Sequence, residues 1–219
     1  MPEFDYADAR ETMVESQIRT ADVTDLDMLL AFRRTARERF VPQNQMALAY
    51  ADAEVRYANG RTLLRPRDFA KLVQAADING TDVVLDLACA RGYSTAILAQ
   101  ISDTVVGLET DEDDVTRASD ILTDMGILNA AVVQGDLKRG AAEHGPFDVI
   151  IAAGAVASVP DGWFAQLADG GRLATIVKRG PIGRATVFTK SGSAVGDRIE
   201  FDAHAPFLPG FAPEASFVF

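Results

Sequence analysis

The sequence predicts an α/β protein whose doubly wound, mostly parallel sheet is flanked by helices and preceded by an N-terminal helical extension. Two observations lead to this fold class. Short apolar runs, typical of strands buried on both faces, alternate with helical patterns between residues 83 and 177. A loop of small residues, 88–92, joins the first of these runs to the helix that follows it. Because strands that alternate with helices join through right-handed crossovers, we expect them to be parallel.

Five strands and three intervening helices are predicted in the central part of the chain. The first strand, Val83-Val84-Leu85-Asp86-Leu87, is a nearly continuous apolar run. The strands are predicted at residues 83–87, 104–108, 130–133, 148–152 and 172–177, and the helices at 94–99, 113–125 and 163–167. The helix at 113–125 begins with acidic residues, which interact favourably with the positive end of the helix dipole.

Both ends of the chain carry weaker patterns. Helices are predicted at residues 7–20 and 67–76, with a further helix that starts at Thr24 as N-cap and has Asp27 at its third position. Asn59-Gly60 indicates a turn, since both residues tolerate positive φ. Residues 201–219 are predicted to form a final strand pair whose phenylalanines pack in the core, with a homodimer surface as the alternative; these are Phe201, Phe207, Phe211, Phe217 and Phe219.

Length and composition fit one soluble domain. The chain has 219 residues, 48% hydrophobic and 24% charged. We expect N-terminal helices and an acceptor loop in residues 1–78, a cofactor-binding core in 79–180 and C-terminal strands in 181–219. The single cysteine, Cys89, cannot form an internal disulfide, and neither a signal peptide nor an apolar run of membrane-spanning length is apparent. A cytoplasmic protein without a membrane partner is therefore expected.

Charge argues against a nucleic-acid partner. The formal net charge is −11 at pH 7, so phosphate would be repelled unless a basic patch compensated. One basic cluster exists, Arg33-Arg34 with Arg37 and Arg39, and acidic residues flank it. We interpret this cluster as a solvated helix face.

Acidic residues at three strand ends predict an adenosine site. In a doubly wound sheet the ligand lies outside the carboxyl ends of the strands. Glu109 ends the second strand, 23 residues after Asp86 (109 − 86), a spacing typical of a carboxylate that accepts hydrogen bonds from ribose hydroxyls. Asp136 follows the third strand and could receive an adenine amine. The small loop would let backbone N–H groups approach the ligand. The candidate cofactor contacts are Asp86, Ala88, Ala90, Gly92, Tyr93, Glu109, Asp136 and Leu137.

Ordered motifs over residues 9–177 resemble the protein-L-isoaspartate O-methyltransferase family. The most specific is Arg37-Glu38-Arg39-Phe40-Val41-Pro42 with Tyr50-Ala51-Asp52 downstream. Others are Gly60-Arg61-Thr62-Leu63-Leu64-Arg65-Pro66, Val84-Leu85-Asp86, Gly92-Tyr93-Ser94-Thr95-Ala96, Gly135-Asp136, Pro146-Phe147-Asp148 and Gly170-Gly171-Arg172.

This resemblance implies a Rossmann-like methyltransferase that uses S-adenosylmethionine. The implied reaction transfers a methyl group to the α-carboxylate of an isoaspartyl residue in damaged protein, so an isoaspartyl protein or peptide is the expected partner. A carboxylate is already ionised at pH 7, and the chemistry is mainly positioning, so no metal is expected. Either a monomer or a homodimer is compatible with the sequence.

Two loops depart from the family pattern. Ala88 and Ala90 stand where the family's cofactor loop has glycine. In the acceptor loop the family's G-Q-T-I-S-x-P becomes Gly60–Pro66, so that Thr62 remains and Leu64 takes the position of the serine that helps orient the acceptor. Thr62 and Leu64 are therefore the candidate catalytic positions.

Several interpretations stay open at this point. Three arginines in or next to these loops either bind a ligand or face solvent. Arg65 and Arg67 could hold an acidic substrate, and Arg91 could pair with the cofactor's carboxylate. The alternative function is a catalytically degenerate cofactor-binding or regulatory protein of the same fold. A nicotinamide-dependent oxidoreductase is disfavoured, because the loop lacks Gly-x-Gly-x-x-Gly.

Overall fold

A seven-stranded sheet organises the molecule, and the predicted fold class is confirmed. The computed structural model describes residues 4–213. In chain order the main-sheet strands are β3 Val83–Leu87, β4 Thr104–Glu109, β5 Ala130–Gln134, β6 Phe147–Val156, β7 Leu167–Val177, β8 Gly183–Ser191 and β9 Ala194–Ala203, and a separate antiparallel hairpin consists of β1 Val55–Arg56 and β2 Thr62–Leu63. The spatial order of the main sheet is β5-β4-β3-β6-β7-β8-β9. Strands β3 to β7 pair in parallel, and β8 and β9 add antiparallel.

Helices cover both faces of this sheet and form the N-terminal extension. The α-helices are α1 Tyr6–Met13, α2 Leu26–Arg34, α3 Pro66–Ala75, α4 Tyr93–Leu98, α5 Glu112–Asp124 and α6 Asp161–Ala165. The helix predicted at 7–20 continues from α1 through a π-helical turn, Val14–Ile18, and a 3₁₀ turn, Arg19–Ala21. Further 3₁₀ turns lie at Arg37–Phe40, Gln43–Leu48 and Ala142–His144. None of the helices within residues 4–213 combines the length and the apolarity that a membrane crossing requires.

The core lies on both faces of β3, as its apolar sequence predicts. Successive strand residues point to opposite faces. Val84 joins the cluster that includes Phe32 and Phe69 from the N-terminal helices, whereas Leu85 joins the cluster around Trp163. These side chains are fully or almost fully buried. Burial on both faces fixes β3 in the middle of the sheet, with its carboxyl end at the loop that follows.

Two predictions about the N-terminal region are wrong. The N-cap of α2 is Asp25 and not Thr24: Asp25 Oδ1 accepts a hydrogen bond from Met28 N at 2.8 Å, while Thr24 N donates to the Gln74 side chain. The helix begins one residue later than predicted, which puts an aspartate at the capping position. The arginine cluster is not one solvated helix face either, because Arg37 lies in a separate 3₁₀ turn and is fully buried.

The predicted strand pair at residues 201–219 is also wrong. The C-terminal hairpin is β8–β9, which reverses near Gly192 at φ +58° and ends at Ala203. The chain then runs along the end of β6, where Leu208 N donates to Ala155 O at 2.8 Å. Phe211 is buried, Phe201 and Phe207 are half-buried, and Phe217 and Phe219 lie outside the described residues. The sequence interpretation missed β8, which contributes to the core on both faces: Ala185 and Val187 join one core cluster, and Phe188 packs against the other.

Strand order places a crevice at the carboxyl ends of β3 and β4. From β3 the chain moves outward through β4 to β5, then returns to β6 on the other side of β3. Ligands of doubly wound sheets bind where the strand order reverses in this way. Residues 88–92 follow β3 at this edge, and Glu109 ends β4 beside them.

Candidate cofactor and acceptor site

The loop after β3 has the backbone of a glycine loop although two of its residues are alanine. Ala88 has φ +63°, Ala90 has φ +48° and Gly92 has φ +86°, all in the left-handed region. This region costs a residue with a Cβ roughly 1–2 kcal/mol. Hydrogen bonds compensate, since Ala88 N donates to Leu108 O at 2.9 Å and Ala90 N to Glu109 Oε2 at 2.9 Å. Neighbouring residues therefore hold the loop in shape.

Asp86 lies at the base of this loop and is completely buried. Its Oδ2 accepts hydrogen bonds from Ser94 Oγ at 2.6 Å and Thr95 Oγ1 at 2.7 Å. Its Oδ1 has no hydrogen-bond partner among the described residues. Burial raises the pKa of the Asp86 carboxyl to about 7, because desolvation outweighs the two hydroxyl hydrogen bonds. Asp86 thus anchors the start of α4 and titrates near neutral pH.

Glu109, the predicted ribose ligand, is bound by an arginine from the acceptor loop. Its side chain is fully buried. Arg61 Nη2 donates to Oε1 at 2.5 Å, and Arg61 Nε lies 3.1 and 3.0 Å from the two carboxylate oxygens. The backbone N–H groups of Ala90 and Thr110 donate to the same carboxylate, at 2.9 and 2.6 Å. A carboxylate offers about four lone-pair sites, and these contacts use them.

The remaining predicted cofactor residues differ in exposure. Asp136 is exposed, and its Oδ1 accepts from Lys138 N at 2.9 Å. Leu137 is buried, and its carbonyl accepts from Trp163 Nε1 at 2.7 Å. Tyr93 is buried among Phe32, Phe40 and Phe69, and the Arg37 guanidinium lies 4.7 Å from its ring centre; these contacts belong to the core.

The acceptor positions Thr62 and Leu64 line one small cavity. It has a volume of about 10 Å³ and is closed on the other side by Gly154 and the segment Pro206–Pro209. This volume holds about one water molecule at most. The Leu64 side chain is 2% exposed and belongs to the apolar core, and its carbonyl accepts from Arg37 Nη2 at 2.7 Å. The acceptor side of the site is closed in this conformation.

The three arginines with open interpretations are all paired within the protein. Arg65 and Arg67 both contact the buried Asp68 carboxylate, at 3.4 and 2.9 Å. Arg91 Nε lies 3.4 Å from Asp114 Oδ1, and its guanidinium lies 5.2 Å from the centre of the Tyr57 ring. The sequence left two alternatives for these arginines, solvent exposure or ligand binding. In the structure each of them instead contacts a carboxylate of the protein.

Sequence reasoning missed Arg61 and Arg37. Arg37 Nε donates to Ala49 O at 2.7 Å, so this buried arginine ties the N-terminal region to the acceptor loop. The one sequence feature that could have indicated a role for Arg61 is its position in the acceptor loop, where the family pattern has glutamine. Nothing in the spacing indicated that its guanidinium reaches Glu109, 48 residues away along the chain.

The residues at the strand ends fit an adenosine-containing cofactor, with one obstruction. The loop keeps the left-handed backbone that brings N–H groups toward the crevice, and a carboxylate stands at the end of β4. Asp86 Oδ1 is a buried acceptor that a ligand donor could satisfy. The obstruction is Arg61, a long side chain that could move without any change of the sheet.

Sheet order, loop conformation and strand-end acids define a doubly wound, cofactor-binding protein of the methyltransferase type. The family model for protein-L-isoaspartate(D-aspartate) O-methyltransferase matches residues 8–207. The chain belongs to this protein-L-isoaspartate O-methyltransferase family. The predicted family, the S-adenosylmethionine-dependent methyltransferase class and the cofactor that it implies are confirmed.

Individual proteins that are similar to this chain carry the name of the same family. Protein-L-isoaspartate O-methyltransferase 2 of Shewanella sediminis is 35% identical over 168 residues, 77% of this chain and 69% of that protein. The protein of the same name in an Anaeromyxobacter species is 32% identical over 203 residues, 91% of this chain and 82% of that protein. A solved protein-L-isoaspartate O-methyltransferase superposes with TM-score 0.80 at 24% identity, covering 92% of this chain and 66% of that one. A Plasmodium falciparum structure in complex with S-adenosyl-L-homocysteine gives TM-score 0.77 at 18% identity, covering 91% of this chain and 97% of that one.

Proposed function

We propose that this protein transfers a methyl group from S-adenosylmethionine to the α-carboxylate of isoaspartyl residues in proteins or peptides. The observation that carries the proposal is the family match over 8–207 together with a carboxylate, Glu109, and a left-handed loop at the strand-order reversal. The alternative of a degenerate binder without catalysis gains no support from the similar proteins.

Each candidate residue has a defined role in this proposal. Glu109 would accept the ribose hydroxyls, Asp136 the adenine amine, and the 88–92 backbone would contact the methionine portion. When bound, S-adenosylmethionine supplies a methyl group on a positively charged sulfur. The Thr62 hydroxyl would hold the acceptor carboxylate, which attacks as it is, without a general base. Apolar residues around the small acceptor cavity would exclude water.

The reaction is tested by methyl incorporation from labelled S-adenosylmethionine into two peptides that differ only in an isoaspartyl or an aspartyl linkage. We expect incorporation into the isoaspartyl peptide alone. Thr62→Val keeps the side-chain shape and removes the hydroxyl, so it should raise KM for the peptide about 10- to 100-fold, since a hydrogen bond to a charged group contributes roughly 1.5–3 kcal/mol. Thr116→Val, on the exposed surface of α5, is the matched control. Cofactor binding without incorporation into either peptide would overturn the proposed acceptor.

The place of action and the assembly state belong to the same proposal. We propose a cytoplasmic enzyme, because the single cysteine, Cys89, is buried and unpaired, which fits a reducing compartment. Fractionation with an antibody to the chain tests the location. Sedimentation of the purified protein distinguishes the monomer from the homodimer.

A further inference from the structure

We propose that Arg61 is an internal competitor for the cofactor site, whose guanidinium must leave Glu109 before the ribose can bind. This inference rests on the proposed function, since it assigns a new role within the same site. Arg61 sets the affinity for the cofactor and couples the cofactor loop to the acceptor loop.

The geometry of the pair makes binding of Arg61 and of a ribose mutually exclusive. Arg61 and Glu109 have side chains that are 4% and 0% exposed. The other donors to the carboxylate are Ala90 N, Thr110 N, Thr110 Oγ1 and, at 3.4 Å, Asp111 N, and all of them belong to the two loops that adjoin Glu109. Only Arg61 comes from a distant segment on a flexible side chain. Ribose hydroxyls therefore gain access to Glu109 by replacing Arg61.

The pair is also incompletely satisfied on the arginine side. Arg61 Nη1 is buried and has no hydrogen-bond partner among the described residues. Five N–H donors of a guanidinium are all hydrated in water, so expulsion of Arg61 recovers solvation that the buried state denies it. The carboxylate, in contrast, would exchange one set of donors for another. When a ligand replaces Arg61, Glu109 therefore keeps its hydrogen bonds, and the released guanidinium gains hydrogen bonds with water.

The position of Arg61 links this exchange to the acceptor. Arg61 lies between Gly60 and Thr62, and the cavity beside it is lined by Gly60, Thr62 and Leu64. A cavity of about 10 Å³ cannot admit an isoaspartyl side chain. Because Arg61 lies between two residues that line the cavity, we expect its release from Glu109 to loosen the segment that closes it. The ion pair therefore keeps both halves of the site closed in the described conformation.

Calorimetry with S-adenosylhomocysteine and with adenosine tests the competition. In Arg61→Gln the loop acquires the residue of the family pattern and loses the competing charge. We expect its Kd for both ligands to fall at least tenfold relative to the original protein, because apparent affinity scales with the fraction of molecules in the open state. Arg56→Gln, an exposed arginine on the other strand of the same small hairpin, removes the same charge and should leave both Kd values unchanged.

A second variant guards against loss of folding. Arg61→Lys keeps the charge but cannot form the two-pronged contact, so it should bind both ligands with an intermediate Kd. Circular dichroism and thermal unfolding establish that each variant is folded. Without ligand, Arg61→Gln should melt at a lower temperature than the original protein, since Glu109 remains buried without its cation. With saturating S-adenosylhomocysteine it should show the larger rise in melting temperature.

Three results would overturn the competition. Equal Kd values for the original protein and Arg61→Gln would show that Arg61 does not obstruct the site and would leave the proposed function intact. Weaker binding by Arg61→Gln would make Arg61 a ligand-binding residue. No binding by any folded variant at millimolar ligand would overturn the cofactor role of Glu109 itself, and with it the proposed function.

Discussion

The cofactor loop and the acceptor loop both depart from the family pattern, with different consequences. In residues 88–92, alanine stands where glycine is the family residue, yet the backbone still takes the left-handed conformation. In residues 60–66, Arg61 and Leu64 replace polar residues that fit a ligand, and their side chains turn inward to Glu109 and to the core. The comparison shows that a loop can keep its backbone conformation when its residues change. The contacts that depend on a particular side chain are lost when that side chain is replaced.

The difference has a physical origin. The cofactor loop is fixed by hydrogen bonds to β4, from Ala88 N to Leu108 O and from Ala90 N to Glu109, and these do not depend on the loop's own side chains. The acceptor loop is fixed by what its side chains contact. A change of one residue there redirects an ion pair or fills a cavity.

Removal of Glu109 should produce the largest effect, because it breaks the contact that joins the two loops. Glu109→Ala removes the acceptor of Arg61 and of the backbone N–H groups of Ala90 and Thr110, and we expect a loss of about 3–5 kcal/mol in the free energy of unfolding. Urea denaturation measures it. Glu112→Ala, exposed in the first turn of α5, should cost less than about 1 kcal/mol. Equal losses for the two variants would contradict the structural importance of the ion pair.

Leu64→Ser tests whether the acceptor loop depends on its side chains. Leu64 is almost completely buried, so the substitution creates a cavity and buries a hydroxyl. We expect a loss of about 3 kcal/mol in the free energy of unfolding, within the range known for truncation of buried leucines. Leu128→Ser, at a residue that is 95% exposed, should change it by less than about 0.5 kcal/mol. A loss below about 1 kcal/mol at position 64 would mean that the loop leaves the core readily.

Asp86 should make stability depend on pH at the base of the cofactor loop. Its pKa in the folded protein is about 7, above the ordinary value of 3.8, so between these values the folded state holds a proton that the unfolded state has lost. The stabilising contribution is therefore complete below about pH 4 and declines as pH rises toward 7. Asp86→Asn removes this decline. The difference in unfolding free energy between the two proteins should shift in favour of the variant by about 4 kcal/mol from pH 4 to pH 8.

Asp120→Asn, on the exposed side of α5, is the control that removes one carboxylate elsewhere. Denaturation curves at several pH values give the comparison. A difference between wild type and Asp86→Asn that stays constant with pH would contradict the raised pKa.

Exchanges of glycine and alanine within the cofactor loop should have the smallest effects and opposite signs. Ala88→Gly and Ala90→Gly relieve left-handed strain and should stabilise the protein by up to about 1 kcal/mol, after the entropy that glycine adds to the unfolded chain is subtracted. Gly92→Ala should destabilise by about 1–2 kcal/mol, because its Cβ would lie 3.1 Å from the Ala118 Cβ at φ +86°. Differential scanning calorimetry resolves both. Destabilisation by Ala88→Gly would show that the loop is not strained.

Much of the fold was determined by the sequence itself. The apolar run at 83–87 requires a strand covered on both faces, and the alternation that follows it requires parallel crossovers. Strands β3 to β7 overlap the predicted ones, although β6 extends to Val156 and β7 begins already at Leu167. Local signals also placed Glu109 and the small loop at one sheet edge, since the ends of parallel strands meet there. The predicted position of the C-terminal hairpin was wrong because the phenylalanines after residue 200 resemble core-facing strand residues, whereas the hairpin forms from β8 and β9.

Tertiary structure alone decided what these residues contact. Whether an arginine faces solvent or a carboxylate depends on which distant segment the fold brings beside it, and Arg61, Arg37 and Arg91 each found a buried or half-buried partner. The same holds for the alanines at 88 and 90, whose left-handed backbone comes from hydrogen bonds to another strand. Sequence patterns report local preference and burial, whereas ion pairs and strained backbone are consequences of packing between segments far apart in the chain.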